Sequence, residues 1–272
     1  MKRTTARKRD HVLYLGDWVF HVGPIFIETP FGTETKDADL HFYGSKLVEA
    51  IDRIVETTSM ANWELYRMNP GRLEQILSRS EALIISDVEA RCFHLYPSFF
   101  DRSRRENQVV SFPDRLDSVR HWIANGGGLM MLGGWLSFTG VQGRGGWGRS
   151  RLAKILPVNC LPYEDLVESS EGFHVEVMQP KHPVVKGLPW KSFPPILGYN
   201  EVAATDESQV LVRVKETGHP LVVVGTHGKG RILTYMSDPA PHWGLNFELW
   251  EGYGAFWRQA LTWVKAGGKG KG

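Results

Sequence analysis

The chain has 272 residues, of which 42% are hydrophobic and 23% are charged, so it can bury a large core and is not expected to be disordered. The formal net charge is only +2, and the basic excess lies in residues 1–9 and 265–272, which leaves the rest of the chain mildly acidic and argues against a nucleic-acid-binding surface. Two cysteines without a C-x-x-C pair, and no long apolar run, argue against a disulfide framework, a zinc site and a membrane span, and predict a cytoplasmic protein.

Buried strands and amphipathic helices alternate along the first half of the chain. Short apolar runs are typical of parallel strands that are covered on both faces, and they occur at residues 11–16, 82–87 and 128–133. Apolar residues at helical spacing predict helices from Ser45, over residues 71–79 and from Pro113. The alternating pattern of residues 62–67 predicts a strand. This order of elements predicts a three-layer, doubly wound α/β fold with a mostly parallel sheet.

Further strands and a closing helix are predicted in the second half. The strands are expected at residues 173–178, 209–214, 220–225 and 231–236, with the last two forming a hairpin. Apolar spacing predicts helices over residues 151–156 and 248–264. Residues 18–43 predict an inserted loop or hairpin, and the glycine-rich residues 140–149 predict a mobile loop. The simplest organisation is one domain over residues 10–265, flanked by basic tails at residues 1–9 and 266–272.

Three motifs follow one another in the later part of the chain. Residues 122–135 read W-I-A-N-G-G-G-L-M-M-L-G-G-W, residues 182–188 read H-P-V-V-K-G-L, and residues 228–238 read G-K-G-R-I-L-T-Y-M-S-D, followed by P-H-W at residues 241–243. Together they resemble the class I glutamine amidotransferase-like superfamily, especially its uncharacterised cytoplasmic members and the trehalose-utilisation (ThuA-like) branch. The resemblance implies a flavodoxin-like fold with added β-hairpins and a histidine near the site.

The first motif departs from that superfamily at the position of the nucleophile. A glutamine amidotransferase needs a thiolate in a sharp turn after a strand, activated by a histidine. The superfamily pattern is Gly-x-Cys-x-Gly, whereas residues 133–137 read G-G-W-L-S, with Trp135 in place of the cysteine. An indole is not a nucleophile, and neither Cys92 nor Cys160 lies near this turn in the sequence. Glutaminase activity by the family mechanism is therefore not expected.

His242 is the main candidate for acid–base chemistry. The resemblance puts a site histidine close to it, and Asp238 and Glu248 are near enough in the sequence to orient its ring. Asp17 and Asp87 each follow a predicted parallel strand, so both are expected at the carboxyl edge of the sheet, where open α/β sheets bind ligands. The alternatives are that the aspartates cap the turns that follow and that His242 only bonds to the backbone.

Trp135, Ser137 and Arg144 are further candidates for ligand binding. Ser137 has a hydroxyl two residues beyond Trp135, and Arg144 belongs to the glycine- and arginine-rich residues 143–149, which could hold an anion. That segment lacks the ending of a P-loop and the strand context of a dinucleotide site. No spacing indicates a metal site, and no cofactor is predicted.

These residues favour a glutamine amidotransferase-like protein that binds a small polar ligand without glutaminase activity. One alternative, implied by the ThuA-like resemblance, is a hydrolase or isomerase of sugar-like substrates that uses His242 with a carboxylate. Another is a structural or regulatory module that self-assembles as a homo-oligomer through its tryptophan-rich surface. The sequence leaves open whether a reaction is catalysed, and it predicts neither a membrane nor a nucleic acid as a partner.

Overall fold

The computed structural model describes residues 10–22, 25–29, 32–35, 38–100 and 111–267. The predicted basic tail at residues 1–9, and most of the one at residues 266–272, lie outside these ranges. Most of the buried apolar side chains of the described residues pack into one hydrophobic cluster. None of the helices in these ranges is long and apolar enough to cross a membrane.

In chain order, the strands of the described residues are β1 (Asp10–Gly16), β2 (Trp18–Val22), β3 (Ile25–Thr29), β4 (Gly32–Thr35), β5 (Ala38–Phe42), β6 (Val55–Met60), β7 (Ala82–Ser86), β8 (Gly128–Leu132), β9 (Val158–Cys160), β10 (Leu166–Phe173), β11 (Val175–Val177), β12 (Ile196–Asn200), β13 (Val202–Ala204), β14 (Gln209–Val214), β15 (Pro220–His227) and β16 (Gly230–Tyr235). The α-helices of the same residues are α1 (Ser45–Ile51), α2 (Asn62–Arg67), α3 (Pro70–Ser78), α4 (Arg91–His94), α5 (Arg115–Ala124) and α6 (Tyr253–Lys265).

Eight of these strands form a central sheet in the order β11-β14-β15-β16-β8-β7-β1-β6. The strands from β16 to β6 are all parallel, whereas β15, β14 and β11 extend the other edge as antiparallel strands. Taken in chain order, the parallel strands β1, β6, β7, β8 and β16 stand in the order 2-1-3-4-5, which is the flavodoxin-like arrangement. The predicted doubly wound, mostly parallel α/β fold is therefore confirmed.

The central strands of the sheet are buried and almost entirely apolar. Every residue of β7 and of β8 is buried, as expected for parallel strands with helices on both faces. The helices contact one another in two groups, α1 with α6 and α2 to α5 among themselves. In α6 the buried stripe includes Phe256, Trp257 and Leu261, so the aromatic residues of the closing helix belong to the core.

Three local predictions are wrong. Residues 62–67 form helix α2 rather than a strand. The strand at this point is β6, which begins seven residues earlier in the Thr- and Ser-containing run V-E-T-T-S-M and pairs with β1. In α2 the Glu64 carboxylate accepts a hydrogen bond from the Ala61 N–H at 2.9 Å, which favours a helix start over an extended chain. Residues 151–156 form turns, and the closing helix begins at Tyr253 rather than at residue 248.

The insertion after β1 contains antiparallel strands, as the hairpin alternative predicted. β2 pairs with β5 and β3 pairs with β4, each in an antiparallel ladder. Two further antiparallel pairs, β9 with β13 and β10 with β12, lie outside the central sheet. The pair of β10 with β12 carries residues that reach the site described next.

Candidate functional site

The carboxyl ends of the parallel strands meet at one edge of the sheet. The strand order reverses at β1, because β6 lies on one side of it and β7 on the other, and such a switch point leaves a crevice at the carboxyl edge. A cavity of about 270 Å³ lies at this place. It is lined by Asp17, Val19, Tyr43, Asp87, Trp135, Asp238, Ala240, Pro241 and His242.

Asp17 and Asp87 occupy equivalent positions, directly after β1 and β7. Both have left-handed backbones, with φ of 55° and 50°, a conformation that aspartate tolerates better than most residues but at some cost in energy. Gly16 has φ of 114°, and a Cβ at this position would meet the Ser86 carbonyl oxygen at 1.7 Å. Only glycine therefore permits the close approach of the two strand ends that brings both aspartates to one cavity.

Burial raises the pKa of both carboxyls from 3.8 to about 7. At Asp17 the hydrogen bond donated by the Tyr14 hydroxyl opposes this rise, and the charge of Asp238 adds to it. At Asp87 the charge of Asp238 also adds, while the Leu136 N–H, which donates to Oδ1 at 2.6 Å, opposes. Each carboxyl can thus exchange a proton near neutral pH, as an acid or base of an active site does.

His242 and Asp238 form a hydrogen-bonded pair, with 2.9 Å between Nδ1 of the ring and Oδ2 of the carboxylate. Asp238 is only 5% exposed, and burial raises its pKa although the bond to His242 opposes the rise. Burial disfavours the charged imidazole, but the hydrogen bond and the charge of Asp238 outweigh it and raise the pKa of His242 above 6.5. A carboxylate that orients a histidine through Nδ1 leaves Nε2 for proton transfer.

Glu168, on β10, belongs to the site although the sequence did not indicate it. Its Oε1 accepts hydrogen bonds from the indole N–H of Trp243 at 2.8 Å and of Trp135 at 3.2 Å, and lies 4.0 Å from Nε2 of His242. Trp135 is 47% exposed, and its ring centroid lies 4.4 Å from that of His242. No local motif marks Glu168, because its approach depends on the pairing of β10 with β12.

The segment that carries Trp135, residues 134–140, is held by two buried polar residues. Asn200 accepts a hydrogen bond from the Gly134 N–H at 3.0 Å and donates one to the Gly134 carbonyl oxygen at 3.1 Å. Asp165 accepts hydrogen bonds from two N–H groups at the far end of the segment, at 2.9 and 2.8 Å, and one from Asn200 at 3.0 Å. These bonds fix the backbone on which Trp135 stands.

Ser137, predicted to bind a ligand, does not line the cavity. Its side chain is buried, with 1% exposure, and its hydroxyl donates to the Leu132 carbonyl oxygen at 2.6 Å. The same hydroxyl accepts a hydrogen bond from the Asp87 N–H at 3.2 Å. Ser137 thus joins the turn after β8 to the turn after β7. Its hydroxyl hydrogen is already donated to the Leu132 carbonyl oxygen and is not available to a ligand.

Glu248 and Arg144 also lie away from the cavity. Glu248, predicted as a partner of His242, forms an ion pair with Lys46 at 3.2 Å. Glu248 lies in a short 3₁₀ turn that precedes the closing helix. Asp238, three residues after the end of β16, lies beside the ring of His242 instead. Arg144 donates to Glu89 at 2.6 Å and lines a different cavity.

Neither cysteine lines the cavity of Asp17 and Asp87. Burial raises the pKa of Cys92 to about 11 and that of Cys160 to about 12, so both carry very little thiolate at neutral pH. Among the residues that the structure describes, no group of three or more histidine, cysteine or acidic side chains is arranged to hold a metal ion. The polar side-chain groups that line this cavity are three carboxyls, one imidazole, one indole and the phenol of Tyr43.

A family model described as "putative glutamine amidotransferase" matches residues 31–266. Two cytoplasmic proteins of Salmonella typhimurium have similar structures over 93% of this chain. STM3548 is 30% identical, with a TM-score of 0.81 over 98% of its own chain. STM1381, from strain LT2, is 29% identical, with a TM-score of 0.79 over 99% of its own chain.

More distant similarity concerns the fold alone. A ThuA-like protein from Parabacteroides merdae is 12% identical, with a TM-score of 0.51, and the match covers 96% of this chain and 91% of that one. No curated protein matches the chain. The resemblance inferred from the three sequence motifs is confirmed by the family match and by these structures.

Proposed function

Because the chain belongs to the glutamine amidotransferase-like family but has no cysteine in its cavity, we propose that it binds a small polar ligand there and does not hydrolyse glutamine through a thiolate. The observation that carries the proposal is the convergence of Asp17, Asp87 and the His242–Asp238 pair at the switch point of the sheet. In this proposal Trp135 stands where the family nucleophile would be, and it contributes a binding surface instead.

The lining of the cavity limits the chemistry of its ligand. Carboxylates accept hydrogen bonds, so Asp17 and Asp87 favour a ligand with hydroxyl or ammonium donors. The half-exposed indole of Trp135 offers a flat apolar face to such a molecule. A cavity of about 270 Å³ lies near the lower end of the range of ligand sites, which favours a molecule of the size of a monosaccharide or an amino acid.

The absence of thiolate chemistry is tested by measuring ammonia release from L-glutamine. We expect none from the wild-type chain and none from a Cys92→Ser, Cys160→Ser double variant, because both thiols are partly buried and have raised pKa values. Hydrolysis by the wild type that disappears in the double variant would refute this half of the proposal. Hydrolysis that persists in both would instead reveal a nucleophile other than cysteine.

Ligand binding is tested by thermal shift. The probes are glucose, trehalose, myo-inositol, L-glutamine and L-lysine, which present hydroxyl or ammonium donors of suitable size. A bound probe should raise the melting temperature of the wild type, and Asp87→Asn should weaken its binding. Asp206→Asn, at an exposed position outside the cavity, is the matched control and should bind as the wild type does. If no probe shifts the wild type, this ligand class is wrong.

We further propose acid–base catalysis on a hydroxylated, sugar-like ligand as a second candidate function. It is favoured by the His242–Asp238 pair at 2.9 Å, together with carboxyls whose pKa is raised to about 7. His242→Gln should then abolish turnover of a bound sugar and leave its affinity within a few fold of wild type. Equal turnover by both proteins would exclude His242 as the base.

A cytoplasmic location is also part of the proposal. Both Salmonella proteins are described as cytoplasmic, and the two cysteines of this chain are free thiols. Free thiols are typical of a reducing compartment. Fractionation of cells that express the full chain from its own promoter would test this assignment, and recovery in the membrane or extracellular fraction would contradict it.

A further inference from the structure

A second and larger cavity has a volume of about 790 Å³, and its lining begins at Ala90, three residues after Asp87 in the sequence. Its walls are α4, the glycine-rich segment 139–149 and residues 160–164. The volume falls well within the range of small-molecule sites, and it is about three times that of the cavity at the switch point. Nothing in the proposed function uses this cavity.

The charged side chains that line it are predominantly basic. Arg91, Arg144 and Arg149 all contribute to the lining, whereas Glu164 is its one acidic residue among the described residues. Arg144 is committed to Glu89, which accepts from its Nη2 at 2.6 Å. Arg91 and Arg149 make no ion pair and no side-chain hydrogen bond within the described part of the chain, so both guanidinium groups can bind a ligand.

The acidic residue is already engaged. Oε2 of Glu164 accepts a hydrogen bond from the Gln142 N–H at 2.6 Å, which holds the carboxylate against the backbone of the glycine-rich segment. Its single charge leaves a net positive cavity, even with His94 neutral. A cavity with an excess of guanidinium groups attracts anions, and it does so more strongly than an open surface would.

The glycine-rich segment adds backbone donors to these charges. The N–H groups of Gly146 and Gly148 make no hydrogen bond within the described ranges, and both residues line the cavity. Gly146 has φ of 68°, a left-handed conformation of the kind that turns successive N–H groups toward one side. Unpaired backbone N–H groups beside arginines are a recurrent means of holding phosphate oxygens.

The segment is anchored, although the sequence predicted a mobile loop. Trp147 is fully buried, and its indole N–H donates to the Val88 carbonyl oxygen at 2.8 Å. The Ala90 N–H donates to the Gly145 carbonyl oxygen at 2.9 Å, so the segment is fastened to the loop after β7. The donors therefore stand in place before a ligand arrives, which lowers the entropy cost of binding.

We propose that this second cavity binds a small organic phosphate, held by Arg91, Arg149 and the N–H groups of the glycine-rich segment. Guanidinium groups pair with phosphate through two parallel hydrogen bonds, and two unpaired arginines match a group that carries about two charges. The space beyond one phosphate accommodates an organic part. Tyr163, which is 61% exposed at the cavity wall, offers a ring against which that part can pack.

Isothermal titration of the full chain with pyrophosphate at low salt tests the proposal, with ribose 5-phosphate as a second probe. The wild type should bind each probe at one site, and higher salt should weaken binding. Arg91→Gln and Arg149→Gln should each weaken it about tenfold or more, and the double variant should not bind detectably. Both arginines are exposed and unpaired, so these variants should fold, which their circular dichroism and melting temperatures will check.

Arg72→Gln is the matched control, because it removes the same charge from an exposed helical position outside the cavity. It should bind as the wild type does. Three results would overturn the proposal: no binding of either phosphate by the wild type at millimolar concentration, equal weakening by the control, or citrate binding as tightly as pyrophosphate. The last would show an anion site without preference for phosphate.

Discussion

Replacing Asp17 by asparagine should stabilise the protein by an amount that grows with pH. The pKa of this carboxyl is raised from 3.8 to about 7, chiefly by burial and further by the charge of Asp238. Unfolding returns the pKa to its ordinary value, so the unfolded chain releases the proton at lower pH than the folded chain does. Ionisation has no effect on stability below pH 3.8, and it favours unfolding increasingly from there to about pH 7.

The size of the effect follows from the pKa shift. A pKa unit corresponds to about 1.36 kcal/mol, so a rise of roughly three units costs the folded wild type about 4 kcal/mol above pH 7. Asp17 is partly exposed, and water screens part of this cost, which reduces the expected gain to about 2–3 kcal/mol at pH 8. Asparagine has no charge to bury, and its oxygen can still accept the hydrogen bond from the Tyr14 hydroxyl.

Urea unfolding of the wild type and Asp17→Asn at pH 5 and pH 8 measures this effect. The difference in free energy of unfolding should be larger at pH 8 by at least about 1 kcal/mol. Asp206→Asn removes the same charge from an exposed turn and should show no such pH dependence. A difference between Asp17→Asn and wild type that is equal at both pH values would refute the reasoning, because it would mean that the carboxyl titrates alike in both states.

Other predictions concern the neighbours of the site and the core. Asp238→Asn should lower the pKa of His242 toward 6.5, measured by NMR titration of its ring protons, since the variant loses the charge that raises it; an unchanged pKa would contradict the pairing. Arg115→Met should lower the free energy of unfolding in urea by more than about 3 kcal/mol, because the buried guanidinium donates to carbonyls of residues 65, 68, 93 and 95 that would lose their partner. The control Arg120→Met, at a partly exposed position of the same helix, should lower it by less than about 1 kcal/mol. Cys92 and Cys160 should react with a thiol reagent at pH 7 far more slowly than in urea, since their pKa values are about 11 and 12; rapid labelling of the folded chain would show accessible thiolates.

Much of the fold could be predicted from the sequence because its signals are local. The strands β1, β7 and β8 are continuous apolar runs, and such runs are stable only between covering layers. The helix at residues 62–67 was missed because six residues are too few for their pattern to separate a strand from a helix. The apolar pattern does not predict strand β6, because polar threonines and a serine occupy its centre. Such residues are tolerated there because β6 lies at the edge of the sheet.

Part of the candidate site could also be predicted from the sequence, and part could not. The sequence predicts that Asp17 and Asp87 lie at one edge of the sheet, because the carboxyl ends of parallel strands share an edge. It also predicts that Asp238 lies near His242, because only four residues separate them. Other parts of the site appear only in the folded chain. Glu168 bonds to Trp135 and Trp243, and Asn200 and Asp165 hold the segment around Trp135, whereas Glu248 lies away from the cavity. Those contacts link residues 25 to 75 positions apart, and no local pattern encodes them, because they depend on how β10 and β12 pair and pack beside the sheet.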